Sequence, residues 1–157
     1  MGLNFSSFSS EPFPCERSIT DRSGAESPYV DDFFDGRKRF DITVTESRED
    51  YEGDGSACLT FMKSDAFFLP LFTKMATANY DEAGSIPGSV VYKLHRMATG
   101  AANSWLEELE RTCSRNQHDV ILSFLRETSR IEWQHQALDL AADAEIRLRE
   151  RFDLRRP

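Results

Sequence analysis

Residues 116–153 read NQHDVILSFLRETSRIEWQHQALDLAADAEIRLRERFD, and the fold is organised around this stretch, which reads as one long amphipathic helix. At 100° per residue, Ile131, His135, Leu138, Ala142 and Ile146 fall on one side, while Trp133, Ala137, Leu140, Ala144 and Leu148 fall on the other. Upstream, Val120, Ile121, Phe124, Leu125 and Thr128 extend the first side. The spacing predicts a helix that opens with a single apolar stripe and becomes two-sided in its second half. Asn116 suits an N-cap, and Arg147, Arg149, Arg151, Arg155 and Arg156 suit the negative end of the dipole. A helix of ~37 residues would run ~55 Å at 1.5 Å per residue, so a kink or a covering partner is expected. Trp133, Ala137, Leu140, Ala144 and Leu148 are therefore the candidate partner-binding face.

Before this stretch, Gly84-Ser85-Ile86-Pro87 reads as a helix start. Val90, Val91, Leu94, Met97, Ala98, Ala101, Trp105 and Leu109 predict one helix running to about Cys113, with Gly100 in its interior for close packing or a bend. The short turn Ser114-Arg115-Asn116 then makes the two long helices antiparallel neighbours. Phe67, Phe68, Leu71, Phe72 and Met75 belong to a short aromatic segment, with a helix expected from about Pro70 and a core role for the rings.

Further upstream the period looks like that of strands. Phe40, Ile42 and Val44 alternate with Asp41, Thr43 and Thr45, and Ala57 to Lys63 alternate again, across a polar acidic loop holding Gly53 and Gly55. The expected fold is α+β: a β-hairpin and a short aromatic helix packed on a long antiparallel helical pair, mostly α, within a single compact domain over residues 36–157. Residues 1–35 are expected to be a disordered Ser/Phe/Pro-rich leader, since residues 1–30 hold seven serines, three phenylalanines and three prolines without periodicity.

The chain has 157 residues and a formal charge of −8. That charge argues against a duplex nucleic-acid binder, which needs a basic face to displace counterions. Residues 1–80 carry 14 acids against 8 bases, so the excess lies mostly in the first half, where it favours a basic partner. Cys15, Cys58 and Cys113 form no C-x-x-C pair, which suits a reducing compartment. No run reaches the ~18 to 20 apolar residues of a membrane span and no cleavable signal pattern opens the chain, so a soluble, cytoplasmic protein is expected.

Chemistry-bearing motifs are few. Met1-Gly2-Leu3-Asn4-Phe5-Ser6 fits the N-myristoylation pattern, with Cys15 as a possible second acylation site, and two chains are what stable membrane tethering requires. The leader, free of acids over its first ten residues, also resembles in composition the start of effectors that bacteria inject into host cells. Asp50-x-Glu52-x-Asp54-Gly55 resembles the opening of an EF-hand loop, but Phe61 stands where the bidentate Glu is required. Glu132 and His135 form one E-x-x-H, and a di-iron bundle needs two. Cys58 with one of His95, His118 or His135 is the nucleophile and base pair that a cysteine-dependent hydrolase would use. No catalytic, metal or cofactor residue is assigned. The sequence favours a small acidic non-catalytic protein-binding protein, an inhibitor, antidote or assembly subunit, that binds a protein partner or homodimerises through its last helix. The alternatives are an N-acylated or injected effector at a membrane and a cysteine-dependent hydrolase.

Overall fold

The computed structural model describes residues 6–8, 20, 25, 27–38, 41–49, 69–78, 83–130 and 137–154. It contains helices α1 (Ser27–Phe34), α2 (Val44–Glu49), α3 (Leu69–Ala78), α4 (Ile86–Ala98), α5 (Asn103–Thr112), α6 (Arg115–Arg130) and α7 (Ala137–Leu154). There is no strand among the described residues, which corrects the α+β expectation to a mostly helical fold.

The first expected strand fails for a local reason. Thr43 and Glu46 form a capping box: the Thr43 amide and hydroxyl both donate to Glu46 Oε2, at 2.8 and 2.9 Å, and the Glu46 amide donates back to Thr43 Oγ1 at 3.1 Å. These bonds satisfy free amides at the start of α2 and hold the Glu46 carboxyl below its usual range. Ile42 and Val44 are still buried, but they flank a helix cap instead of alternating along a sheet. The second expected strand, 57–63, lies outside the described residues.

The folded body also begins earlier than residue 36. In α1, Val30, Phe33 and Phe34 line one side at helical spacing and are buried, and Gly36, at φ +65°, turns the chain where the helix ends. Phe34 meets Phe72 of α3 edge to face at 6.2 Å. Thr20, fully buried, donates its amide and hydroxyl to the Asp31 carboxylate at 3.0 and 3.1 Å. Phe8 is buried too, and the neighbouring Ser7 carbonyl accepts from Gln117 Nε2 at 2.9 Å.

The helix expected over 85–113 is two. Gly100 takes φ +83° after α4, and the amides of Gly100 and Ala102 return to the Met97 and Arg96 carbonyls. Gly100 thus marks a break between helices and not the interior of one. The long stretch 116–153 likewise resolves into α6 and α7, with 131–136 outside the described residues. Helix α6 opens two residues earlier than Asn116 suggests, because Ser114 N–H donates to Gln117 Oε1 at 2.6 Å and Ser114 Oγ accepts the Gln117 amide at 3.4 Å. Two cross-links fix the α6/α7 pair as antiparallel: Arg126 meets Glu145, and His118 meets Phe152.

The core is built from Leu71, Phe72 and Met75 of α3, Val90, Val91, Leu94 and Met97 of α4, Leu109 of α5, Ile121, Phe124 and Leu125 of α6, and Ala141, Ala144, Leu148 and Phe152 of α7. Removing these apolar groups from water is the main drive for folding. The small Ala141 and Ala144 give α4 and α6 room to approach α7.

A candidate docking cleft on the last helix

Of the five residues expected to face a partner, Ala144 and Leu148 are fully buried against the chain's own helices and Leu140 packs half-buried on the same core. Ala137 belongs to α7, and Trp133 lies outside the described residues. At Leu140, Ala144 and Leu148 the second apolar side of the last helix is therefore packed on the chain's own core. On the first apolar side, Ala142 is exposed and Ile146 is 55% exposed. Leu154, at the end of α7, is 82% exposed.

Around that end lies a cleft of about 520 Å³. Its walls are the end of α4 (Met97 to Gly100), the start of α5 (Asn103, Leu106, Glu107) and the last two turns of α7 (Arg147, Leu148, Glu150, Arg151, Leu154). Met97, Leu106 and Leu148 are buried and make an apolar floor, and exposed Leu154 stands at the rim. The cleft exists because α4 and α5 are separate: Gly100 redirects the chain, and the opening is left between the two helix ends and α7.

The walls are fixed by ion pairs. Arg151 Nε donates to Glu110 Oε1 at 2.7 Å, tying α7 to α5, and the Glu110 side chain is almost wholly buried. Arg147 Nε donates to Asp143 Oδ2 at 2.8 Å, and the same oxygen lies 2.9 Å from His95 Nε2 of α4. The hydrogen bond from Arg147 is the main reason the Asp143 carboxyl sits below its usual range, with His95 contributing. Farther along, Arg126 and Arg149 both pair with Glu145.

The other candidates for chemistry are committed elsewhere. His95 is engaged by Asp143, and His118 lies on Phe152 with Nε2 3.4 Å from the Leu109 carbonyl. Cys58 and His135 lie outside the described residues, as do Gly2, Cys15, Glu132 and the acidic loop at 50–55. Cys113 is a half-buried free thiol. Trp105 is covered by Lys93, whose ammonium sits 3.9 Å from the ring centre; desolvation, helped by Arg96, lowers the lysine's pKa. Among the described residues, no three His, Cys, Asp or Glu side chains are grouped to hold a metal ion. Among the same residues, no helix is long and apolar enough to cross a membrane.

Leu154, an apolar residue in the arginine-rich end, is not distinguished by any sequence pattern. What hides the cleft from the sequence is the break at Gly100, which periodicity alone reads as the middle of a helix. Compared with protein-family models, curated proteins and solved structures, the chain shows no match.

Proposed function

We propose that this chain is a small acidic, non-catalytic protein-binding protein of the cytoplasm that acts by occlusion, through the outward side of α7 and the cleft at its end. The observation that carries the reading is Leu154, 82% exposed at the rim of a cleft floored by Met97, Leu106 and Leu148. A leucine standing open beside an apolar floor is the arrangement in which a partner's side chain completes a core. Ile146, two turns earlier on the same helix, extends the apolar surface. The charge of −8 keeps such a protein soluble while it presents this surface. The partner face is thus moved from the buried Ala144 and Leu148 to the exposed Ile146 and Leu154 of the same helix.

The test is site-specific photocrosslinking in cells that make the protein. A benzophenone side chain at position 146 or 154 is expected to give one discrete adduct, of doubled mass for a homodimer or of another mass for a second protein. The same probe at Arg130, exposed on α6, is expected to give none. Adducts that do not depend on position, or no adduct from α7, would remove the reading.

A further inference from the structure

Resting on that reading, we infer that the cleft at the end of α7 receives a basic, apolar segment of a partner protein, whose Lys or Arg side chains pair with Glu107 and Glu150 at its walls. The argument is one of charge balance within the cleft. Both arginines of the wall are already matched by the chain's own carboxylates, Arg147 by Asp143 and Arg151 by Glu110. Glu107 of α5 and Glu150 of α7 also line the cleft, and neither has an ion pair among the described residues. The C-terminal end of α4 and the N-terminal end of α5 meet at the same place, so their opposed dipoles offset one another. What remains is an excess of two carboxylates above an apolar floor.

That combination selects a cation with an apolar body. The aliphatic stem of a lysine or arginine lies along an exposed leucine while its head reaches a carboxylate, which Leu154, one turn after Glu150 on α7 and 82% exposed, provides for at the mouth of the cleft. An acidic segment would meet the same apolar floor but face repulsion from both carboxylates. The chain's overall charge of −8 acts in the same direction, drawing basic partners in and slowing acidic ones.

Two synthetic helical peptides of about 15 residues test this. Both carry leucines at i, i+3, i+4 and i+7; one has Lys at the flanking positions and the other Glu. Binding to the full chain is followed by fluorescence anisotropy at low salt. The Lys peptide is expected to bind more tightly, and Glu107→Gln with Glu150→Gln is expected to weaken it about 5-fold, the scale of two exposed ion pairs, while narrowing the gap between the peptides. Asp41→Asn with Glu127→Gln, which removes the same formal charge away from the cleft, is expected to leave affinity within about 2-fold. Leu154→Gln is expected to weaken both peptides.

Equal binding of the two peptides, no binding of either, or an equal loss in the control pair would overturn the inference. So would a marked gain in affinity in Arg155→Ala with Arg156→Ala, because the chain's own end would then be the occupant. Position-specific crosslinking without a preference for the Lys peptide would leave the protein-binding reading standing and remove only this one. A Lys-peptide preference without crosslinking would do the reverse.

Discussion

The imidazole of His118 lies flat on the ring of Phe152, centroids 3.9 Å apart and planes 6° apart. This stack joins the first turn of α6 to the last turns of α7 and closes the antiparallel pair at the end where the cleft opens. The pairing is one of flat, largely desolvated rings, in which a neutral imidazole is favoured over a charged one.

A pH dependence follows from that stack. Desolvation holds the His118 pKa below its usual value, ahead of the opposing pull of the Leu109 carbonyl and of Glu110 and Asp119. The unfolded chain therefore takes up this proton at a higher pH than the folded chain does. The contribution to stability is complete above the unfolded value of about 6.5 and declines as pH falls below it. Urea midpoints at pH about 7.5 and 5.5 are expected to show a smaller acid loss in His118→Phe, which keeps a stackable ring without the titration, than in the parent chain. Equal losses would place the dependence elsewhere.

The Thr43 cap offers a second measurement. Thr43→Ala removes the hydroxyl that accepts the Glu46 amide, and loss of such a cap costs about 0.5–2 kcal/mol. Glu46→Gln keeps the shape but not the charge. Because the folded Glu46 pKa is lowered, its contribution is present above the unfolded value of about 4.3 and lost as pH falls through the folded one. The Gln variant is accordingly expected to differ from the parent at neutral pH and to converge with it in acid, as read by urea denaturation.

Much of the helical content was legible, and the places where reading failed have local causes. Pro70 in a first turn and the apolar spacing of Leu71, Phe72 and Met75 identified α3, and its buried side is the expected one. At 40–45, three alternating apolar residues satisfied a strand pattern, while Thr43-x-x-Glu46, a helix-start signature, overlapped the end of the same run. Short runs serve both patterns, and the capping bonds decide. On α7 two apolar sides compete, and periodicity cannot rank them. Ala141 and Phe152, which belong to neither stripe as read from the sequence, join Ala144 and Leu148 in the core. The cleft was not legible at all, because it needs the Gly100 break and brings Glu107 and Glu150 together from different helices.

Gly100 itself is testable. Its φ of +83° lies in the region that side chains other than glycine occupy at a cost of about 1–2 kcal/mol. A Cβ there would also sit 3.4 Å from Asn103 Oδ1, so the neighbour would have to give slightly. Gly100→Ala is expected to lower stability by about that amount, and Gly100→Asn by less, since asparagine tolerates the left-handed region better. If Gly100→Ala instead raised stability, as it would inside a continuous helix, the break between α4 and α5 would be in error.

The inward and outward sides of α7 can be separated by two truncations of nearly equal chemistry. Leu148 is fully buried and Ile146, two residues away, is 55% exposed. Truncating a buried leucine to alanine removes its transfer energy and leaves a cavity, together about 2–5 kcal/mol. At an exposed position the same truncation usually stays within about 0.5 kcal/mol, because water already reaches the side chain and alanine suits a helix. Leu148→Ala is therefore expected to shift the urea midpoint strongly and Ile146→Ala hardly at all, with both variants helical by circular dichroism. The reverse order would put Ile146 in the core and return Leu148 to the surface, and the docking surface would have to move with it. If Ile146→Ala leaves stability unchanged but abolishes the crosslink from position 154, the outward side of α7 contributes to binding without contributing to the fold.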